Sequence, residues 1–319
     1  MDGLVGDIGG THARFALATG GQDGVRDPKT YDNKDFSSLE AVIETYLHET
    51  QAGKPPPAAV LAVAGPVTDG AIRFTNLDWE VSEDRLRRQA GFGQARLIND
   101  FAAQALGAPR VGANGLRRLG PDTPGAPGGA LAVMGPGTGF GVAALVRGSG
   151  PDVVLATEGG HAGFAPCDEL EIEIWRWFSR RRPRVSIERL LSGAGLYDLY
   201  CALAEIQGKP ASVADQMAVQ AAAEKGDELA AATIERFCLI LGSVAGDVAL
   251  NLGARGGVYV TGGVAQGLAG QIAKGGFRER FEAKGRFEAY MRAIPSWLIL
   301  EPYTALIGAA SVLGGLEAA

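Results

Sequence analysis

Three glycine clusters and a handful of acidic and amide side chains are the residues whose types and spacing can do chemistry. The first is "GDIGGT", Gly6 to Thr11, which lies between the apolar runs "LVGDI" and "HARFALA". A glycine pair weakens a strand unless something must come close to the backbone. Two uses fit: a tight hairpin, for which Gly-Gly is a common turn, or a cradle of backbone N–H groups for a phosphate. The second cluster repeats the first. In "LAVMGPGTGFGVAALVRG", Leu131 to Gly148, an apolar strand enters, a turn with Gly135, Gly137, Thr138 and Gly139 follows, and an alternating strand leaves. Two such hairpins, each opening a run of α/β elements, suggest a duplicated fold whose similar loops face one ligand. The third cluster, Thr261-Gly262-Gly263 in "VYVTGGVAQG", joins a strand to a helix. It fits a helix-start turn or a place where a nucleotide approaches closely.

Known phosphate motifs narrow the choice. The chain has no G-x-x-x-x-G-K-[ST], which excludes a Walker loop. The run "GPGTGFG" lacks the three-residue step of the dinucleotide pattern and is followed by a strand, not a helix, which argues against a Rossmann site. What remains is a phosphate held by backbone N–H groups of two hairpins, without a lysine.

The elements that must position these loops alternate between strand and helix, so the fold class is α/β. The pattern gives a helix over residues 36–51, capped by Ser37 or Ser38, and buried strands over 58–65 and 95–100. A further strand is expected over 71–79, a helix from Phe101, and a proline-glycine loop over 120–129. Residues 229–252 read as a buried helix interrupted by Gly242 and Gly246, where another element packs closely, and residues 304–316 as a C-terminal helix. "WRWF", 175–178, reads as core, and the basic run 179–185 as a solvated loop.

Bulk properties set the limits. The chain has 319 residues, 46% hydrophobic and 21% charged, with a net charge of −6. That length suits two lobes, and that charge argues against a general nucleic-acid surface. The N-terminus lacks a signal-peptide pattern, and no uncharged apolar run reaches membrane-spanning length. Cys167, Cys201 and Cys238 are odd in number and far apart, and read as buried thiols in a reducing cytosol.

At this point a family resemblance is carried by "GDIGGTHARFAL", "INDF", "GPGTGFG", "EGGHAGFAP", "ERLLSGAGL", "DVALNLG" and "VTGGV", in that order, from Leu4 to about Gly314. The chain resembles the bacterial ATP-dependent glucokinases of the actin-like ATPase and sugar-kinase superfamily. The resemblance implies a two-lobed, ribonuclease H-like α/β fold with a duplicated core. The lobes would be residues 1–108 with 301–319, and 109–300, with sugar bound in the cleft between them. It implies that Gly6, Asp7, Ile8, Gly9, Gly10 and Thr11 form the first phosphate loop, with Asp7 near Mg²⁺ through an indirect contact. Gly135, Gly137, Thr138 and Gly139 would form the second loop, and Thr261, Gly262 and Gly263 the adenosine site. Asn99, Asp100, Glu158, His161 and Glu188 would bind D-glucose, with Asp100 as the base. His12 stands where many relatives have asparagine.

The residue chemistry is compatible with those roles. Hexose hydroxyls both donate and accept, and carboxylates, an amide and an imidazole match them. Asp100 falls at the carboxyl end of an expected strand, where α/β proteins place ligands. Taken without the resemblance, Asp100 reads as a helix N-cap, Glu188 as a charge favouring a helix start, and His161 as a structural histidine. The expected activity is phosphorylation of D-glucose by ATP with Mg²⁺, in the cytoplasm and by a homodimer, since relatives are commonly dimers. Another hexose kinase, for fructose or mannose, and a non-catalytic sugar-sensing regulator are the alternatives. The retained Asp100, and a first strand starting at about Leu4, weigh against the regulator. With Cys167 alone after His161, a structural zinc is not expected.

Overall fold

The strand pattern folds by its alternation. The structure, a computed structural model, describes residues 2–19, 24–50, 54–74, 79–148, 150–274 and 276–316. In chain order the strands are β1 (Asp2–Ile8), β2 (His12–Thr19), β3 (Val25–Asp32), β4 (Ala58–Val63), β5 (Ala71–Arg73), β6 (Glu80–Ser82) and β7 (Gln94–Asn99). They continue as β8 (Leu116–Arg118), β9 (Leu131–Pro136), β10 (Phe140–Val146), β11 (Val153–Thr157), β12 (Gly257–Val260) and β13 (Ser296–Ile299). The helices used below are α1 (Leu39–Glu49), α2 (Asp100–Gly107), α3 (Glu169–Ser179), α4 (Ile187–Leu190), α5 (Gly193–Ile206), α6 (Glu228–Leu252), α7 (Gly263–Gly267), α8 (Phe277–Glu282) and α9 (Thr304–Leu316). The chain divides into two units, Met1–Gly112 with Glu301–Ala319, and Ala113–Leu300.

The first unit is built on a five-stranded sheet in the order β3-β2-β1-β4-β7. β1 runs antiparallel to β2 and parallel to β4, and β4 parallel to β7. Side chains alternate across a strand, so Leu4 and Ile8 join one core with Leu39 and Ile43 of α1. Val5 joins another core with Leu306, Ala309 and Leu313 of α9. Ser38 caps α1 by accepting from the Ala41 N–H. Of the strand expected over 71–79, β5 covers Ala71–Arg73, while residues 75–78 lie outside the described residues, as does Gln51 at the end of the helix expected over 36–51.

α2 and α9 touch through glycines. A Cβ on Gly308 would lie 1.8 Å from the Ala103 carbonyl oxygen, and one on Gly107 would lie 2.0 Å from that of Thr304. Neither backbone can give way cheaply, so Gly308→Ala should destabilise the protein by about 1–3 kcal/mol, the ordinary range for overpacking. Gly315, in the same helix, has nothing near its absent Cβ. Gly315→Ala should therefore be neutral or stabilising, by up to about 1 kcal/mol of helix propensity. Urea unfolding of the two variants checks this: equal effects would mean that the two helices do not depend on the glycine contact.

The second unit repeats the pattern on a six-stranded sheet, β11-β10-β9-β12-β13-β8. Here β9 and β10 form the antiparallel hairpin, and β12 pairs parallel to β9, as β4 does to β1. α6 is continuous over 25 residues, not interrupted at Gly242 and Gly246. Those glycines admit α8: a Cβ would lie 2.1 Å from the Phe277 carbonyl oxygen at Gly242, and 2.6 Å from that of Phe281 at Gly246. By length and composition α6 passes as a membrane span, yet Phe237, Ile240, Leu241 and Val244 are buried in this unit's core.

Two further expectations need correction. Of "WRWF", Trp177 and Phe178 are buried but Trp175 is exposed, because successive residues on a helix point about 100° apart and cannot share one buried face. Of the three cysteines expected to be buried, only Cys238 is fully so; Cys201 is half-buried and Cys167 is exposed. Cys167 sits in the loop just before α3: its N–H donates to Glu171 at 2.8 Å, and its Sγ lies 3.1 Å from Ser243 Oγ of α6.

Candidate active site

In the first unit the glycine loop is the turn between β1 and β2. The Gly9 N–H donates to the His12 carbonyl at 2.9 Å and closes the turn. Gly10 and Thr11 are exposed, and among the described residues their N–H groups have no acceptor within the chain. Gly6 lies inside β1, where a Cβ would come 2.6 Å from Leu61 and 3.0 Å from Phe15. Ile8 is buried in the core, so only its backbone is available to the loop.

Asp7 and Arg14 are partners across the β1–β2 register, with Nη1 to Oδ2 at 3.2 Å. Burial pushes the Asp7 carboxyl above its usual range, and the Arg14 guanidinium opposes that shift. Mg²⁺ commonly takes one or two carboxylates and keeps several waters. A single, partly buried carboxylate fits an indirect contact to such an ion; among the described residues no three His, Cys, Asp or Glu side chains cluster to make a protein cage. His12 pairs with Asp32, Nε2 to Oδ1 at 3.1 Å.

Asn99 and Asp100 stand where β7 passes into α2. Asn99, not Asp100, caps the helix: its Oδ1 accepts from the Ala102 N–H at 3.1 Å. Its Nδ2 donates to the Gly65 carbonyl at 3.2 Å and to Asp100 Oδ1 at 3.1 Å. Asp100 Oδ1 also accepts from the Phe101 N–H at 2.9 Å. The N-cap reading of Asp100 is thereby corrected. Asn99 does the capping and at the same time holds the Asp100 carboxylate.

In the second unit the β9–β10 turn carries Gly137, Thr138 and Gly139. The Gly137 N–H donates to the Gly139 carbonyl at 2.8 Å, and its own carbonyl accepts from Gly193 at 2.9 Å. Gly193 is the first residue of α5, capped by Ser192, so the "SGAG" start of that helix fixes the loop. Gly137 and Gly263 have open space where a Cβ would be. Gly135 and Gly262 do not: a Cβ would lie 1.7 Å from the Thr261 carbonyl oxygen and 2.3 Å from that of Pro136, respectively. These two glycines let the loops at 135–139 and 261–263 pack together, and the Thr261 N–H joins them by donating to Met134 at 2.8 Å. α7, which starts at Gly263, is only five residues long.

Glu158, His161 and Glu188 come together in this unit. His161 Nε2 is 3.9 Å from Glu158 Oε2, and Nδ1 is 3.8 Å from Glu188 Oε1. Glu188 does begin a short helix, α4, but its Oε2 accepts the Phe140 N–H at 2.9 Å. It thus ties the second glycine loop to the histidine. Segments 162–164 and 185–187 pair by backbone, with Ile187 N–H to Ala162 at 2.9 Å and Phe164 N–H to Val185 at 3.1 Å. The basic run is not wholly a solvated loop: Arg184 Nη2 donates to the His161 carbonyl at 3.2 Å, and Arg181 lies 3.9 Å over the Trp177 ring. The sequence reading missed Arg14, Gly65, Gly193 and Arg184 as supports. Only Gly193, within "SGAGL", carried a visible signal.

Behind this segment lies a buried ion network. Glu171 is fully buried and pairs with Arg236 at 3.0 Å and with Arg280. Asp168 caps α3 and pairs with Arg236 at 2.5 Å. Burial opposes its ionisation, but the Glu171 N–H and the two guanidiniums outweigh burial and hold the carboxyl below its usual range. A depressed pKa contributes stability above the unfolded-state value, and that contribution is lost as pH falls through the folded-state value. Asparagine caps about as well as aspartate, so Asp168→Asn isolates the charge. Wild type should be more stable than Asp168→Asn at neutral pH, and the gap should narrow as pH falls below about 4. A pH-independent gap in urea unfolding would contradict this.

Two hairpins on duplicated sheets, each with a glycine turn and a parallel neighbour strand, define the actin-like ATPase class that includes the sugar kinases. The glucokinase family profile matches residues 4–315. A glucokinase of a Caulobacter species is 53% identical over 311 residues, covering 97% of this chain and 94% of that protein. The crystal structure of a glucokinase from an Antarctic psychrotroph superposes with a TM-score of 0.88 at 37% identity, covering 98% and 99% of the two chains. A glucokinase from Streptomyces griseus, solved with glucose and AMPPNP, shares the fold at a TM-score of 0.66 and 19% identity, covering 98% and 99%. The chain belongs to the glucokinase family.

Proposed function

We propose that this chain transfers the γ-phosphoryl group of ATP to D-glucose, giving glucose 6-phosphate and ADP. The observation that carries the reading is the pair of glycine-threonine turns, each with N–H groups that find no acceptor among the described residues, in a protein that also presents Asp100 at the carboxyl end of β7. Binding of glucose and AMPPNP by the Streptomyces griseus relative supports the same pair of ligands here.

In this reading Gly10 and Thr11, and Thr138 and Gly139, donate backbone N–H groups to the phosphates, and the 261–263 turn lies against the nucleoside. Asn99, Glu158, His161 and Glu188 hold sugar hydroxyls. Asp100 accepts a hydrogen bond from the reacting hydroxyl and takes its proton as the O–P bond forms. Phosphoryl transfer needs little more than positioning and charge stabilisation. Asp7 would be the carboxylate that helps hold Mg²⁺ bound with ATP, an ion that would supply charge neutralisation at the phosphates. Arg14 holds Asp7 in place. The test is ATP consumption by the purified protein over a panel of hexoses. Turnover with glucose above all others supports the reading. Turnover with fructose or mannose instead makes it another hexose kinase, and sugar binding without turnover makes it a regulator.

A further inference from the structure

We infer that Asn33 is a positioning residue for the first phosphate loop, an inference that rests on the nucleotide role proposed for that loop. Asn33 opens the short 3-10 turn after β3 and is 1% exposed. It makes two hydrogen bonds to the loop. Its Nδ2 donates to the Gly9 carbonyl at 2.8 Å, and its backbone N–H donates to the Thr11 carbonyl at 2.8 Å. The two carbonyls that flank Gly10 in the turn are thereby both anchored by one residue. The loop's uncommitted groups are then donors, the N–H groups of Gly10 and Thr11, as an anion requires.

The other end of the amide shows that this arrangement is chosen for the loop. Asn33 Oδ1 is buried and, among the described residues, has no hydrogen-bond partner. The amide cannot be turned over to relieve it, because that would set a carbonyl oxygen against the Gly9 oxygen. A buried acceptor without a partner costs about 1–3 kcal/mol. A residue that only filled space would be apolar at this position and would avoid that cost. The amide is kept because its donor end fixes Gly9.

The test compares Asn33→Asp and Asn33→Leu with wild type, reading nucleotide affinity by titration calorimetry, the KM for each substrate, and Tm. Asn33→Asp puts an acceptor against the Gly9 oxygen; Asn33→Leu removes the donor and the orphan acceptor together. Both should weaken ATP binding and raise its KM at least tenfold while leaving the KM for glucose within about twofold. Asn33→Leu should do so without a fall in Tm, which a merely structural role would not produce. Folded variants with unchanged ATP affinity overturn the inference and leave the proposed activity standing. A wild type that turns over no sugar but loses ATP affinity on substitution keeps the inference while the activity fails, and a wild type that binds no ATP removes both. If neither variant folds, the wild type decides: the Asn33 side-chain amide signals should shift on ATP addition, and unshifted signals at saturation count against the role.

Discussion

Asp100→Asn should lower kcat by at least about a hundredfold while the protein stays folded. General-base catalysis contributes on the order of a hundred- to ten-thousandfold, and the substitution replaces the proposed proton acceptor with an amide of the same size. The cap of α2 belongs to Asn99, so Asp100 can change without uncapping the helix. The Oδ1 of the new amide can still accept from Phe101 and from Asn99 Nδ2, as the carboxylate does. Glucose affinity should fall much less than kcat, because Asn99, Glu158, His161 and Glu188 remain in the proposed set. Steady-state kinetics with a glucose titration separates the two. A folded variant with near-normal kcat would remove Asp100 as the base.

Gly137→Val should weaken ATP binding at least about tenfold, again without unfolding the chain. The space beside Gly137 is open and its φ is not among the positive ones, so a valine fits the folded protein. It would then occupy the room that a phosphate needs against the Thr138 and Gly139 N–H groups. Hydrogen bonds to charged groups are worth about 1.5–3 kcal/mol each, so losing one or two weakens binding by roughly ten- to more than a thousandfold. Gly135→Val is the contrast. Its Cβ would collide with the Thr261 backbone at 1.7 Å, so that variant should fail to fold properly. Calorimetric titration of folded Gly137→Val with ATP is the check, and wild-type affinity would contradict the role given to this loop.

The glycine loops were legible because glycine and threonine between two apolar strands are visible in the chain itself, and because the same arrangement occurs twice. What was not legible is which glycine does what. Gly135 and Gly262 are required by the packing of β9 and β12 loops on each other, and Gly137 and Gly263 face open space; spacing along the chain cannot tell these apart. The capping at α2 was misread for a related reason. Asn99 and Asp100 are adjacent cap formers, and only the backbone angles at the end of β7 decide that Asn99 caps. Asn33 was invisible because its role depends on the β2–β3 hairpin returning residue 33 to residues 9–11. Gly242 and Gly246 suggested a break in α6, but close packing against α8 offsets the helix propensity they lack, about 1 kcal/mol each.

The most direct measurement is identification of the products by phosphorus NMR when the purified protein is incubated with ATP, Mg²⁺ and D-glucose. The account predicts that ATP is replaced by equal amounts of ADP and glucose 6-phosphate, with no reaction when glucose is withheld. Release of inorganic phosphate with glucose unchanged, or ATP left intact beside glucose that binds, would contradict it.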